Sequence, residues 1–514
     1  MHGDKIPMIK RLVYNTVISI IAFGGAALLG LVVIPVIIRT WGVTEFGLIV
    51  IARLLLPTGM MAVFDFGLAE VTTQAIARAR EHRDWELAGR QLSFLTALSL
   101  ALAVVISSSI WLGTPWLTII MKVDAVRLEN FSQILHFTAL ANLILIPSLV
   151  FEGIVKGFER YNLLRITELG STVGYVALTV WAASNSAGFE IVVYIYLASL
   201  VLRAFIVLVG ALIALGKKNV RPARWTADVR RELFLRCMLL LQGKLIGGIS
   251  GPIQPFVVGL LFGPSSVGIY DALVRLSRVS KVVVGLLTSA LLPVASRLDE
   301  RGSMTSFQRL GELGLIMLPM FTVPPLAAAA ILSHGIMDVW IGAALVRYAF
   351  WMGLSFLIPI CTQYLVIGNL IFLTRPDVQA RLNLLLGIQL VIWAVVSAAT
   401  LTLFAERALI LGQVVANIVV LPWQLETLRC ALGLDRDRFA KTVVTQLAVL
   451  LTGSGLLWIF AGYIHPDSVL KLCLISGIFC LMTWVAQYFL VLERRHRAIF
   501  PQVGSLMGLT PKSN

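Results

Sequence analysis

Four ionised side chains, Asp271, Arg275, Arg278 and Lys281, stand in one short stretch, GIYDALVRLSRVSKVVVG, beginning at Gly268. Their spacing gathers them within an arc of about 120° on a helix, and Ile269, Leu273, Leu276, Val283 and Leu287 take the rest of it. Asp271 stands one turn before Arg275 and is placed to orient it. Further cations, Arg53, Arg203 and Lys244, also lie deep in apolar runs, whereas deep acids are fewer: Glu168 is near the start of its helix, and Asp65 and Glu152 are near the ends of theirs. A cation at a bilayer centre costs about 2.5–3.5 kcal/mol on insertion scales, so these side chains must meet water, protein or a ligand. Their net positive sign calls for an anionic ligand. The candidate binding set is therefore Arg53, Arg203, Lys244, Arg275, Arg278 and Lys281, with Asp271 as an orienting or coupling group. Lys244 precedes GGISGPIQP, a stretch that should bend or unwind its helix. Gln413 and Asn417 read as a polar pair for interhelical hydrogen bonding.

The elements that hold these residues are transmembrane helices. The chain has 514 residues, 58% hydrophobic and 13% charged, with a mean hydropathy of +0.89. A soluble domain carries about 25% charged residues. Apolar runs of bilayer-spanning length centre near residues 27, 57, 101, 143, 174, 203, 249, 280, 319, 360, 391, 416, 451 and 480. This gives an all-α polytopic membrane protein with about fourteen spans; the runs near 57 and 280 are the least apolar. With that count, about thirty basic residues fall in one set of loops and six in the other. The positive-inside rule puts the rich set, and both termini, in the cytoplasm. The basic residues are thus dealt to alternate loops, which argues against nucleic acid as the reason for the net charge of +15. The basic start and apolar run at the N-terminus read as a retained first helix. The five cysteines, without CxxC or metal spacing, read as small core residues, and His136 as a packed one. No cofactor is indicated, and no nucleotide loop is present to suggest direct use of ATP.

A repeat organises the spans. WGVTEFGLIVIARLL follows the first and FGPSSVGIYDALVRL follows the seventh, with Gly42 and Gly47 matching Gly263 and Gly268 at one offset. Each run enters an arginine-bearing span, with Arg53 and Arg275, and ends in small residues followed by basic ones. The halves are expected to be parallel repeats: 1–216 as the N-lobe of six helices, 217–437 as the C-lobe, and 438–514 as two appended helices and a tail.

VIPVIIRTWGVTEFGLIVIARLL with DFGLAEVTTQAIAR, FEGIVKGFERY closing the fourth span, and FGPSSVGIYDALVRLS with LLPVASRL in the second half carry a resemblance. From about residue 15 to 492 the chain resembles the multidrug/oligosaccharidyl-lipid/polysaccharide exporter superfamily, and within it the O-antigen-type polysaccharide flippases. That resemblance implies a V-shaped two-lobe fold with a cationic cavity, lined by Arg53 and Arg275. It implies transport, not enzymatic catalysis: an undecaprenyl-pyrophosphate-linked oligosaccharide of an O-antigen, capsule or exopolysaccharide pathway crosses the bacterial inner membrane by alternating access. Polysaccharide polymerase and chain-length machinery would be its partners. Three other readings stand beside it. A lipid II flippase would carry arginines early in the first span, and none is there. A multidrug/cation antiporter would want buried carboxylates in that span. A non-transporting membrane assembly subunit would leave the deep arginines without a purpose.

Overall fold

The computed structural model describes residues 24–216, 218, 220–249, 251–289, 304–366, 376–464 and 466–492. Every regular element among them is a helix. The first is α1 (Gly24–Trp41). It is followed by α2 (Val43–Leu54), a 3-10 turn (Met60–Phe64), α3 (Leu68–His82), α4 (Trp85–Ile120), α5 (Ala125–Gly157), α6 (Tyr161–Ser184) and α7 (Phe189–Gly216). Next come α8 (Ala227–Ile249), α9 (Gln254–Phe262), α10 (Pro264–Ser289), α11 (Met304–Ile331) and α12 (Ser333–Trp340). The last are α13 (Ala349–Ser355), α14 (Leu357–Gln363), α15 (Pro376–Phe404), α16 (Ala408–Leu432), α17 (Arg436–Ile464) and α18 (Val469–Leu490).

The expected span centres fall on these helices, apart from the one near 57, which falls where a helix is broken. Eight stretches among the described residues are long and apolar enough to cross a bilayer, against the fourteen expected. One of the eight, Val378–Leu432, holds two of the expected spans, and the rest of the difference has physical causes. The runs near 57 and 360 are each divided into short helices, at Leu55–Gly67 and Phe356, and the run near 249 is shared between the end of α8 and the short α9. The run near 280 carries the charges described above, and α6 begins with Arg165 and Glu168.

The breaks are built into the sequence. Pro57 and Gly59 follow α2, and the missing side chain of Gly59 lets the chain turn back on itself, because a Cβ there would lie 2.3 Å from the Arg53 carbonyl. The fully buried Asn142 of α5 donates its amide to the Leu55 carbonyl at 2.8 Å, satisfying an acceptor that the break has freed. The second break lies between α8 and α9 and includes Gly251 and Pro252, as the GGISGPIQP stretch predicts.

The glycine repeat has a structural counterpart. Gly42 and Gly263, each ending one helix and starting the next, share one backbone conformation, with φ of 104° and 86°. Glycine adopts such positive φ values without steric cost. Gly47 and Gly268 face each other where α2 crosses α10. A Cβ on Gly47 would lie 3.1 Å from the Gly268 nitrogen, and one on Gly268 would lie 3.2 Å from the Gly47 nitrogen. Such reciprocal contact is the mark of a local two-fold axis. The same offset pairs Arg53 with Val274, so Arg275 comes one residue late, about 100° further round its helix. The two arginines are therefore not equivalent positions of the repeat. The closing match of the repeat and LLPVASRL lie outside the described residues.

The chain divides into two compact units, Met1–Ala272 and Leu273–Asn514, whereas the repeat divides it at 217. In the first unit α5 packs against α3, α4 and α7, and α8 packs against the 3-10 turn. Val71, Ile76, Leu95, Val150, Ile154 and Ala211 fill its core. In the second, α15 pairs with α16, and α11 packs against α14, α17 and α18. Leu315, Leu382, Leu428 and Leu432 form one cluster there, and Val323, Leu332, Leu457 and Phe479 contribute to another.

The α2–α10 crossing leaves no room for a side chain. In Gly47→Ala the new Cβ would lie 1.8 Å from the Pro264 carbonyl oxygen, and in Gly268→Ala 2.3 Å from that of Val43. Each substitution is expected to destabilise the protein by about 1–3 kcal/mol or more, read as a lower thermal unfolding temperature in detergent. Gly170→Ala, inside α6 with nothing within 4 Å of the added atom, is the control and should not lower it.

Candidate functional site

Arg53 ends α2, immediately before the break. Its guanidinium carbon lies 4.3 Å from the centre of the Tyr196 ring and 6.0 Å from that of Tyr175. The two rings meet edge to face, with centres 5.1 Å apart. α6 supplies Tyr175 and α7 supplies Tyr196, so three helices converge on one cation. A desolvated cation over an aromatic face gains about 2 kcal/mol or more. Asp271, buried at 2% exposure, acts on Arg53 electrostatically. Yet among the described residues no carboxylate comes within ion-pair distance of Arg53. The sequence assigns Asp271 to Arg275; its effect on Arg53, 218 residues away, is an addition from the structure.

Lys244 of α8 departs from expectation. Its ammonium lies 2.6 and 2.8 Å from the two carboxylate oxygens of Asp65, and 3.1 Å from Glu70. Asp65 also accepts a hydrogen bond from the Gly67 backbone N–H at 2.8 Å. Lys244 thus ties α8 to the end of the 3-10 turn and to the first turn of α3. Held by two acids, it is a structural strut and does not present a free positive charge.

Arg203 of α7 is likewise paired. It lies 3.8 Å from Glu152 of α5, whose other oxygen accepts from Lys156 at 2.8 Å. Arg165 and Glu168 pair along α6 at 3.0 Å. Across these groups of the first unit, Arg53, Lys156, Arg165, Arg203 and Lys244 are matched by Asp65, Glu70, Glu152, Glu168 and Asp271. Arg53 differs from the other four cations in being held by ring faces.

Arg275 and Arg278 are half-buried on α10 in the second unit. The side chain of Lys281 lies outside the described residues. Asn417 donates its side-chain amide to the Gln413 carbonyl of its own helix at 2.7 Å. His136 stacks on Trp111 at 4.2 Å. Cys237, Cys361 and Cys480 are buried as expected, but Cys430 and Cys473 are exposed on their helices. Among the described residues no group of three or more His, Cys, Asp or Glu could hold a metal ion.

Tyr175, Tyr196 and Glu70 are the site residues that the sequence did not single out. The tyrosines lie in runs where aromatic residues are common, and Glu70 is near the acidic start of an ordinary helix. The contribution of the Lys244–Asp65 pair is measurable by a double-mutant cycle of Lys244→Met and Asp65→Asn. A coupling of about 0.5–3 kcal/mol is expected in thermal or chemical unfolding; additive losses would show that the contact contributes nothing.

A family model described as "Polysaccharide biosynthesis protein" matches residues 12–299. No curated relative matches the chain by sequence. Among solved structures, an inward-facing multidrug resistance MATE family transporter of the MOP superfamily is 14% identical, with a TM-score of 0.64, over 79% of this chain and 94% of its own. The lipid II flippase MurJ, in an inward closed conformation, is 13% identical with a TM-score of 0.66, over 92% of this chain and 98% of its own. A MOP superfamily transporter from Pyrococcus furiosus is 15% identical with a TM-score of 0.59, over 82% and 95%. At these identities the common property is the fold.

Proposed function

The chain belongs to the polysaccharide biosynthesis protein family, and we propose that it serves there as a flippase and not as an enzyme. Its substrate would be an undecaprenyl-pyrophosphate-linked oligosaccharide repeat unit of an O-antigen, capsule or exopolysaccharide, and its place the bacterial inner membrane. The observation that carries this reading is Arg53: a guanidinium at a helix break, held over tyrosine faces without a carboxylate at ion-pair distance among the described residues. One donor of Arg53 engages the Tyr196 side chain, and the rest of a guanidinium's planar fork matches phosphate oxygens. The fold common to a lipid II flippase and to multidrug transporters is consistent with alternating access.

In this mechanism Arg53 takes the pyrophosphate. The sugars occupy an aqueous path, and the polyprenyl tail stays in lipid. The lobes 1–216 and 217–437 alternate around the head group. Export of negative charge is favoured by a negative-inside potential, at about 2.3 kcal/mol per charge per 100 mV. Lys244 and Arg203, paired as they are, have no direct role in this binding.

Deletion of the gene should abolish surface polysaccharide, with undecaprenyl-linked repeat units accumulating inside the cell and the cell wall intact. Complementation with Arg53→Gln should lower polymer output at least tenfold, the loss expected for a charge-assisted bond worth about 1.5–3 kcal/mol. Unchanged polymer with raised drug susceptibility would favour an antiporter and overturn this reading; arrested wall synthesis would favour lipid II.

A further inference from the structure

Two 3-10 turns of the second unit meet at one corner. Val346–Tyr348 leads into α13, and Ala405–Arg407 joins α15 to α16. α15 pairs with α16, and α13 also packs against α16, which brings the two turns together. Two guanidiniums then share one ring. The Arg347 carbon lies 4.8 Å from the centre of the Tyr348 ring and the Arg407 carbon 5.3 Å, so the two are no more than 10.1 Å apart. Arg407 also stands 5.6 Å from the centre of the Trp351 ring. We infer that this corner binds the phosphodiester of an anionic phospholipid, whose acyl chains lie against the apolar surface beside it. The inference does not depend on the pyrophosphate reading of Arg53.

Four observations converge on it. First, the donors are in place. Arg407 gives its Nε–H to the Phe404 carbonyl at 3.0 Å, at the end of α15, and among the described residues no acceptor takes its two terminal nitrogens. Arg347 is exposed, and no carboxylate among the described residues lies within ion-pair distance of it. An open guanidinium fork fits two phosphate oxygens. Second, the charges match. The buried Glu406 lies 3.7 Å from the Arg407 Nε. Two cations and this one acid leave a net charge of one, which a phosphodiester neutralises. An anion there also relieves the repulsion between the arginines. Third, the apolar surface adjoins the cations. Phe350 and Leu403, the neighbours of Trp351 and Phe404 in the chain, are 70% and 72% exposed. Tyrosine and tryptophan suit the depth at which acyl chains meet headgroups.

Fourth, sidedness does not account for the pair. Arg347 and Arg407 belong to the six basic residues of the poor set of loops, the side from which the positive-inside rule removes cations. On that same side Lys122 donates to the Leu261 carbonyl, Arg127 pairs with Glu45 and Asp124, and Lys471 pairs with Asp467. Arg347 and Arg407 are gathered on an aromatic ring instead. The turn that carries Arg407 passes through Ala405 at φ 49°, a left-handed conformation that alanine keeps only where its surroundings hold it. The corner is therefore fixed, and Arg407 with it.

The test is native mass spectrometry of the whole, delipidated protein with dioleoyl phosphatidylglycerol and dioleoyl phosphatidylcholine. The two lipids share chains and phosphodiester and differ in net charge. The wild-type protein should prefer phosphatidylglycerol. Arg407→Gln should lower that preference about tenfold, as for the loss of a charge-assisted hydrogen bond, and the exposed Arg347→Gln about two- to fivefold. Arg407→Lys, which keeps the charge without the fork, should fall between wild type and Arg407→Gln. Lys471→Gln, which removes a paired charge from the same side, should stay within about twofold of wild type. Equal thermal unfolding temperatures would show that the variants are folded. An unchanged preference in the double variant Arg347→Gln/Arg407→Gln would overturn the inference. So would an equal loss in Lys471→Gln, which would mark a general effect of charge. Undecaprenyl pyrophosphate binding that falls in the double variant while the phosphatidylglycerol preference holds would give the corner to that lipid and overturn the phospholipid assignment.

Discussion

An ionised group in hydrocarbon has lost its hydration, and something in the protein must replace it. The arrangement of the first unit follows from that requirement. Lys244 meets it with two carboxylates. Arg203 meets it by sharing Glu152 with Lys156. Arg53 meets it differently, with the faces of two tyrosines. A carboxylate partner neutralises a cation and leaves little attraction for a second anion. A ring face stabilises the charge and leaves it in place. The difference between Arg53 and the paired cations of this unit thus lies in the chemistry of the partner and not in the cation itself.

The same requirement applies to backbone groups. A helix satisfies its own N–H and C=O groups, and a break exposes them. The break after α2 is provided for by Asn142 at the Leu55 carbonyl and by Asp65 at the Gly67 N–H. Asp65 therefore has two duties, capping the backbone and holding Lys244, which couples the geometry of the break to α8. Arg53 stands at the edge of this irregular segment and inherits its rigidity. The glycine contact between α2 and α10 fixes the other end of α2. A short helix anchored at both ends can hold a guanidinium in one place, as recognition of an anion requires.

Much of this was legible in the sequence, and what was not has a clear reason. Apolar runs located the helices because a bilayer demands a continuous apolar length. The paired glycines were legible because only glycine satisfies a positive φ or a backbone–backbone contact. The GGISGPIQP break announced itself through Gly and Pro. The partners of the cations were hidden because they are distant in the chain: Asp65 and Lys244 are 179 residues apart, and no local pattern links them. Tyr196 was hidden for another reason, since tyrosines in membrane proteins usually sit at lipid interfaces. The Arg53–Arg275 equivalence failed because each run had an arginine at nearly the same depth, and one residue of slip turns a helical side chain by about 100°.

The 179-residue separation of Asp65 from Lys244 has a consequence for biogenesis. At synthesis rates of about 5–20 residues per second, Asp65 and Glu70 emerge from the ribosome roughly 9–36 s before the ammonium that will neutralise them. Arg53 likewise waits for Tyr175 and Tyr196, which belong to helices made more than a hundred residues later. For that interval the segment from α2 to α3 holds bare charges of both signs and is poorly suited to enter lipid alone. It must be sheltered, by insertion machinery or by neighbouring helices, until α6 to α8 arrive. The lateral release of this chain into the membrane is thereby tied to the completion of its first unit, a timing imposed by electrostatics and not by any signal in the sequence.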